Sequence, residues 1–338
     1  MPERQRSDLT RAGPHPAGPL TVESVCGPVP LDSLGFTLPH EHLQWGEAGC
    51  ELDVVGQLSA KQKLASMTAL LSAAKAAGVQ TVIDPTTPEM GRDFALMAVA
   101  SRAVGVTVIG ACGVYCRQPT PYFAARSAEE LADLFITELT EGVRPAAAKP
   151  GFIKLAVSGE TFTGYQRRAL RAAGMAHARL RAPIMVHTEP GAGLPVLRCL
   201  VDEHGVDGRA IVIAHAESVS DLSYHLEIVQ RYGAFLGFDR FGMTFNNVRD
   251  ELRLGLVTAL SALGHARQVH LAHDLAGHWI GRGSQLLAQR QAAMPEWRID
   301  HVPTRVVRRL GELGVPERDI RAMTHESAAA WLAAGRDG

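Results

Sequence analysis

Eight short apolar runs, each followed by a longer amphipathic stretch, constrain the fold of this chain most strongly. Most of the runs are rich in Val, Ile and Leu without polar alternation, as parallel strands covered on both faces should be. The predicted strands are Phe36–Pro39, Gln80–Asp84, Val106–Ala111, Phe152–Val157, Pro183–His187, Ala210–Ala214, Ala234–Phe238 and Gln268–Ala272. The predicted helices include Ala60–Ala77, Asp93–Ala103, Glu129–Glu141 and Tyr165–Leu180. Strict alternation of strand and helix predicts parallel crossover units.

Eight such units in one chain predict an α/β fold of the closed kind, a (β/α)8 TIM barrel. The alternative is an open, doubly wound sheet, which would usually carry a Gly-rich phosphate loop after its first strand. Here the first strand runs directly into His40, Glu41 and His42, so the closed barrel is favoured. We expect one barrel domain over residues 20–335, a hairpin at Thr21–Leu34 that closes the barrel bottom, and a disordered leader over residues 1–19.

Charge and apolar patterning exclude two classes of partner. The formal net charge of −1 argues against nucleic-acid binding, which needs concentrated Lys and Arg. The sequence contains no stretch of about 18 apolar residues, so no membrane span is predicted. The N-terminus has no apolar segment of the kind that secretory signals carry. The five cysteines are scattered and odd in number, so a disulfide framework is not expected and a reducing cytoplasm is the simpler setting. Pairing or metal binding by Cys112 and Cys116 is the minor alternative.

Polar residues of types that can bind metal ions lie on or directly after five of the predicted strands. They are His40 and His42, Lys154, His187, His215, and Asp274. Side chains two apart on a strand point to the same side, so the two histidines of the first strand can both face the barrel axis. The spacings along the chain fit one strand-helix unit or a whole number of units between successive candidates. All of them therefore come out at the C-terminal end of the strands, which is the active-site face in barrels of this kind.

Four imidazoles and one carboxylate suit Zn, Mn, Co or Fe. One catalytic metal needs about three protein ligands, so this set predicts two metals about 3.5–4 Å apart. A buried lysine beside two dications should not stay an ammonium, because desolvation and like charge both lower its pKa. A single histidine at a strand end is more often a hydrogen-bonded structural residue, but five strands contributing at the same end make coincidence a poor explanation.

At these positions the sequence resembles the phosphotriesterase family of the amidohydrolase superfamily, over roughly residues 20 to 335. The matching pieces are Leu38-Pro39-His40-Glu41-His42-Leu43, Gly91-Arg92-Asp93, Gly113-Val114-Tyr115, Gly151-Phe152-Ile153-Lys154, Val186-His187-Thr188, Ala214-His215 followed by Asp221 and Tyr224, and His273-Asp274. Because the set occurs in this order, the resemblance is highly specific.

The resemblance implies a binuclear metal centre in which each ligand has a match. His40, His42 and Asp274 would hold the buried ion, and His187 with His215 the more exposed one. Lys154 would be carboxylated by carbon dioxide to a carbamate that bridges both ions. The mechanism implied is hydrolysis by a metal-bridging hydroxide, with Asp274 as general base. Zn is the expected metal, and Mn, Co or Fe are the alternatives.

The substrate class is implied by two loop residues. Tyr115 after the third strand and Arg240 after the seventh resemble the lactonase branch, in which the tyrosine lies near the substrate carbonyl and the arginine belongs to the loop that shapes the pocket. A packed loop aromatic and a salt bridge are the structural alternatives for these two. The sequence departs from the family at Cys116-Arg117-Gln118-Pro119, in the segment after Asp274, and at His325-Glu326-Ser327. These departures bear on the substrate and leave the metal ligands intact.

Lactone or carboxylic ester hydrolysis is therefore the expected activity on a small-molecule substrate. An amidase or deacylase acting on a small N-acyl compound, or a phosphoester or phosphotriester hydrolase, is the alternative, since the same hydroxide would attack each of them. A non-catalytic binding protein on an inherited barrel would have lost at least one ligand, and all six positions are filled. The family resemblance also implies a homodimer.

Overall fold

The computed structural model describes residues 19–115, 119–244 and 248–334. The strands are β1 (Thr21–Ser24), β2 (Gly27–Pro30), β3 (Thr37–Leu38), β4 (Thr81–Asp84), β5 (Thr107–Val114), β6 (Phe152–Val157), β7 (Ile184–Thr188), β8 (Ile211–Ala214), β9 (Phe235–Phe238) and β10 (Val269–Leu271). The helices are α1 (Ala60–Ala76), α2 (Phe94–Val104), α3 (Pro121–Ala124), α4 (Ala128–Glu141), α5 (Gly164–Leu180), α6 (Gly193–Leu197), α7 (Leu222–Arg231), α8 (Asp250–Ala262), α9 (Gly283–Ala293), α10 (Val307–Glu312), α11 (Glu317–Arg321) and α12 (Ser327–Ala333). Three π-helical segments occur at Arg198–Glu203, Val302–Val306 and Ala322–Glu326.

Strands β3 to β10 form one eight-stranded parallel sheet whose spatial order is the chain order. The first and last strands meet beyond their ends, through parallel bridges between His42 and Ala276 and between Trp45 and Trp279. The sheet is thereby closed, and the predicted (β/α)8 barrel is confirmed. All eight predicted strands are present, with bounds that differ from the prediction by three residues at most.

The barrel interior is packed with apolar side chains at the end opposite to the strand C-termini. Inward residues such as Ile83, Ile109, Phe152 and Met185 are almost completely buried and form one cluster with Trp331 from α12. Residues next to these along the strands face the helices and belong to the larger cluster between sheet and helices. Since Lys154 and His187 lie two positions after Phe152 and Met185, they continue the inward series toward the open end.

The hairpin expected at Thr21–Leu34 is present as β1 paired antiparallel with β2. Val22 and Leu31 from this region are buried in the same interior cluster as Trp331, so the hairpin and α12 together cover the bottom of the barrel. The expected leader, residues 1–19, lies outside the described residues except for its last position.

The helix starts follow local capping chemistry. In three helices the side chain of the residue before the helix accepts a hydrogen bond from the third helical amide, and the side chain of that third residue accepts one from the backbone amide of the cap residue. These capping boxes join Ser59 to Gln62 in α1, Ser127 to Glu130 in α4, and Thr163 to Gln166 in α5. Asp93, expected as a helical residue, is the N-cap of α2. Among the described residues, no helix is long and apolar enough to cross a membrane.

Candidate metal centre

The closure of the barrel brings Asp274 to the two histidines after β3. The Asp274 amide donates to the His40 carbonyl at 3.1 Å, and the His42 amide donates to the Leu275 carbonyl at 2.8 Å. Asp274 Oδ1 then lies 3.5 Å from His40 Nε2 and 3.3 Å from His42 Nε2. Asp274 has a φ of +53°, and this left-handed backbone, uncommon outside glycine, belongs to the turn at the end of β10.

The three remaining predicted ligands lie beside this group. Lys154 Nζ is 3.4 Å from His40 Nε2. His215 Nε2 is 2.8 Å from His187 Nδ1 and 3.9 Å from Asp274 Oδ2. The structure therefore brings together, at one end of the barrel, all six residues predicted as metal ligands.

Asp239, which follows β9, orients two of the imidazoles and was missed by the sequence analysis. Its carboxylate accepts from His40 Nδ1 at 2.7 Å and from His215 Nδ1 at 2.6 Å. It also accepts from the backbone amide of His215 at 3.1 Å. Because Nδ1 of each ring is engaged by a carboxylate, Nε2 is left to point into the centre, as in the carboxylate-histidine pairs of metal sites.

Two other contacts around the centre escaped the sequence analysis. Thr86 Oγ1 lies 2.7 Å from His42 Nδ1, so the third imidazole is also held on its outer side. Glu41, which lies between the two histidines in the sequence, is fully buried. It accepts from the His273 amide at 2.9 Å, from His273 Nδ1 at 2.6 Å and from the Leu275 amide at 3.0 Å. Glu41 thus fixes the turn that carries Asp274.

Burial makes the nitrogen donors of the centre poor proton acceptors. It lowers the pKa of His40 and lowers the pKa of His215 to about 3. The pKa of His187 falls well below its usual value for the same reason, reinforced by His215 and Arg240. These imidazoles are neutral at neutral pH, which is the form that binds metals.

The acidic and basic groups of the centre are also displaced from their usual titration ranges. Burial lowers the pKa of the Lys154 ammonium to about 8, against the opposing charges of Asp239 and Asp274. Burial alone would raise the pKa of Asp274, but His40, His42 and His215 hold it well below its usual range. The carboxylate therefore stays ionised while the amine is partly neutral near pH 8.

The donor set fits divalent metal ions. One ligand atom from each of His40, His42 and Asp274 lies within 4.8 Å of the others. Ligands at about 2.0–2.2 Å from a Zn²⁺ ion are separated from one another by roughly 3–3.5 Å. The distances of 3.3 and 3.5 Å from Asp274 to the two histidines match that separation. Nitrogen and carboxylate oxygen donors are those that suit zinc and its neighbours.

The two residues singled out for the substrate pocket lie at the same face. The Tyr115 hydroxyl is 3.4 Å from His187 Nδ1, and the two rings meet edge to face. Arg240 Nε donates to Asp274 Oδ2 at 3.1 Å. Arg240 therefore forms an ion pair with a carboxylate, but the partner is Asp274 of the centre and not the adjacent Asp239.

Cys116, the second member of the cysteine pair considered above, lies outside the described residues, whereas Cys112 is a free thiol.

The closed barrel and the convergent donors at its open end define the class as a TIM-barrel metal-binding hydrolase.

Residues 20–332 match the phosphotriesterase family. The chain is 29% identical to an aryldialkylphosphatase of Saccharolobus solfataricus, covering 87% of this chain and 93% of that one. It is 26% identical to an N-acetyltaurine hydrolase of Rattus norvegicus, covering 92% and 97%. A mutant phosphotriesterase-like lactonase of Deinococcus radiodurans superimposes with a TM-score of 0.87 at 32% identity, covering 92% of this chain and all of that one. The chain therefore belongs to the phosphotriesterase family.

Proposed function

We propose that the centre binds two divalent ions. His40, His42 and Asp274 would hold the inner ion, and His187 with His215 the outer one. The clustering of these donors supports the assignment, because four histidines and an aspartate exceed the ligand number of one catalytic metal. Zn is the favoured metal on donor chemistry, with Mn, Co or Fe as alternatives. When bound, such ions polarise a substrate carbonyl or phosphoryl oxygen and lower the pKa of a water to near neutrality.

We propose further that Lys154 is carboxylated, in which form it would help to hold both ions. Only a neutral amine forms a bond to the carbon of carbon dioxide, and the reaction releases one proton. The pKa of about 8 makes the free amine of Lys154 available near neutral pH. The product is an anion with two oxygens, and it replaces a buried cation that would repel the metals.

The reaction that we infer is the hydrolysis of lactones or related carboxylic esters. The observation that carries this inference is the Tyr115 hydroxyl at the edge of the ligand group, 3.4 Å from His187 Nδ1. A phenol in that position could donate a hydrogen bond to a substrate carbonyl oxygen. The likeness to a lactonase structure supports the same substrate class.

Asp274 would transfer the proton, and Arg240 would orient the Asp274 carboxylate. Asp274 is ionised, so it can accept the proton of the attacking water and pass it to the alkoxide when the ring C–O bond breaks. Arg240, which donates to Oδ2 of that carboxylate, would fix its orientation and form part of the wall of the substrate pocket after β9.

A substrate panel tests the reaction class. Metal-loaded protein would be assayed for acid release from γ- and δ-lactones of rising chain length, from N-acyl amides and from an aryl phosphotriester, with Asp274→Asn as the blank. We expect lactone turnover well above that blank. Absence of lactone turnover in protein that holds about two metals per chain would contradict the lactonase proposal.

Two alternatives are favoured by named relatives. The rat relative named an N-acetyltaurine hydrolase favours amide cleavage, and the archaeal aryldialkylphosphatase favours phosphotriester cleavage. The same residues would serve both reactions, so turnover of either class above that of every lactone in the panel would move the assignment to it.

Three further proposals concern the protein as a whole. We propose that residues 20–335 form one domain. We also propose that the protein is a homodimer, and sedimentation at several concentrations would test this oligomeric state. A cytoplasmic location is the third, and the free thiols Cys26, Cys50, Cys112 and Cys199 are compatible with it. Fractionation of cells that produce the protein would test that location.

A further inference from the structure

A second group of metal-binding residue types lies on the outer helical layer, in the π-helical segment Arg198–Glu203 and the residue after it. Cys199, Glu203 and His204 each place one ligand atom within 4.8 Å of the others. None of the three belongs to the centre described above. Cys199 is 3% exposed, whereas Glu203 is exposed and His204 is half-buried, so the group opens toward solvent from a buried sulfur.

The π-helical turn accounts for the convergence. In an α-helix residues four apart share a face, but residues five apart diverge. A π turn closes over five residues, so Glu203 and His204 can both lie over Cys199. His204 is packed against α5 at a position without a side chain, since a Cβ added at Gly174 would lie 2.9 Å from the His204 Cβ. The imidazole is therefore held by backbone geometry on one side and by α5 on the other.

The three side chains line a cavity of about 340 Å³ between α4, α5 and the π-helical segment. Three arginines of α5 also line it, but each has another partner. Arg168 donates to the carbonyls of Ala124 and Arg126, Arg171 pairs with Glu129 at 2.9 Å, and Arg167 stacks on Phe162. Arg168 and Arg171 are thus engaged outside the Cys-Glu-His group, whereas the charge of Arg167 acts on the Cys199 thiol and favours its thiolate form.

We propose that Cys199, Glu203 and His204 bind a single thiophilic divalent ion of the zinc class, with water completing its coordination. Sulfur, imidazole nitrogen and carboxylate oxygen are the three donor types that proteins use for zinc. A thiolate and a carboxylate supply two negative charges, which neutralise one dication. Binding breaks the S–H bond and releases its proton to solvent. Burial raises the pKa of the Cys199 thiol to about 11, so the apo group is protonated at neutral pH and binding strengthens as pH rises.

Titration with Co²⁺ tests the site, because the proposed ligands of the barrel centre include no sulfur. Reduced, metal-stripped full-length protein would be titrated while the near-ultraviolet thiolate-to-cobalt charge-transfer band is recorded. We expect a band that saturates at one thiolate-bound cobalt per chain. Cys199→Ser should abolish the band and lower the cobalt bound at saturation by one ion per chain, while the cobalt of the barrel centre stays bound.

Matched variants separate this site from a nonspecific thiol. Cys26→Ser removes an exposed free thiol and Cys112→Ser a buried one, and both should keep the band. Gly174→Ala retains every ligand but crowds His204, so it should raise the Kd for the band by at least about tenfold, the effect of disturbing even a supporting group. No band in the wild type, or an unchanged band in Cys199→Ser protein with native circular dichroism, would overturn the proposal.

Discussion

At the scale of single residues, Asp239 binds imidazoles that we assign to different metal ions. In Asp239→Asn, one carboxylate oxygen becomes an NH₂ group that cannot accept from a ring N–H, so either His40 or His215 must lose its partner or change tautomer. We expect metal affinity to fall by about 10- to 100-fold, the usual effect of losing an outer hydrogen bond at a metal site. Competition with a chromophoric chelator measures it.

Asp250→Asn is the matched control for that substitution. Asp250 also accepts from an imidazole, His301 Nε2 at 2.8 Å, but His301 is not one of the proposed metal ligands. Its replacement should leave metal affinity unchanged. Equal losses in the two variants would show that general destabilisation, and not imidazole orientation, explains the effect.

The pKa of about 8 at Lys154 predicts how metal uptake depends on pH. Because burial lowers this pKa, the reactive neutral amine is the minor form below pH 8 and the major form above it. At fixed dissolved carbon dioxide, the initial rate of carbamate formation during zinc reconstitution should rise by about tenfold between pH 7 and pH 9. The carbamate carbon can be followed by NMR with ¹³C-enriched carbon dioxide.

Lys154→Met supplies the control for the carbamate experiment. The variant keeps a side chain of similar length but offers no amine, so its spectrum should lack the carbamate signal at every pH. A wild-type rate that stays flat from pH 7 to pH 9 would contradict the proposed route through the neutral amine.

The sequence predicted which side chains converge at the strand ends, but not the residues that orient them. The convergence of His40, His187 and His215 could be predicted because each ends an apolar run, and the strand ends of one barrel share a face. Asp239 also ends a run, but its contact with His40 spans 199 residues and depends on neighbouring strands. Nothing local in the sequence distinguishes such an acceptor from a solvent-exposed carboxylate.

At the scale of elements, Glu41 connects the first barrel strand to the turn after the last. Glu41→Ala would leave three buried donors, two of His273 and one of Leu275, without their acceptor. Each unsatisfied buried group costs about 1–3 kcal/mol, so we expect the apparent free energy of unfolding to fall by at least about 3 kcal/mol. Urea unfolding at saturating zinc measures it.

Glu47→Ala is the control for the barrel closure, because Glu47 is an exposed carboxylate in the loop that follows the same strand. This variant should unfold within about 0.5 kcal/mol of the wild type. If Glu41→Ala and Glu47→Ala unfold at the same urea concentration, the three hydrogen bonds of Glu41 do not hold the ends of the barrel together.

Element positions were predictable to different degrees. β6 has the bounds expected from its apolar run, whereas β5 continues three residues further, to Val114. The extension pairs with β6, where Gly113 lies opposite Lys154, and pairing across a sheet is not encoded within one strand. The π-helical segments, including Arg198–Glu203, were also missed, since their apolar spacing differs little from that of an α-helix.

At the scale of the whole molecule, α12 covers the bottom of the barrel and packs against the apolar side chains inside it. Trp331 is fully buried, its ring contacts Phe152 edge to face, and its Nε1 donates to the Ala210 carbonyl at 3.0 Å. Trp331→Ala should lower the apparent free energy of unfolding by about 3–5 kcal/mol. Calorimetry and metal analysis together would show lower stability with an unchanged metal content.

Leu263→Ala provides the comparison for Trp331, because it removes a large apolar side chain that is 52% exposed. Its effect on the free energy of unfolding should stay within about 0.5 kcal/mol. Loss of metal from Trp331→Ala protein that is still folded would show instead that packing at the bottom controls the opposite face.

The closure of the barrel by its two ends also sets an order of events during synthesis. Glu41 and His273 are 232 residues apart, and the His40 and His42 donors are made near the beginning of that interval. At about 5–20 residues per second, a ribosome needs roughly 10–50 s to reach the last strand. Through that interval the nascent chain exposes histidines without the aspartate that completes their set. The proposed inner site is therefore complete only after β10 has been synthesised, and a chain released before β10 carries five of the six proposed ligands but lacks Asp274.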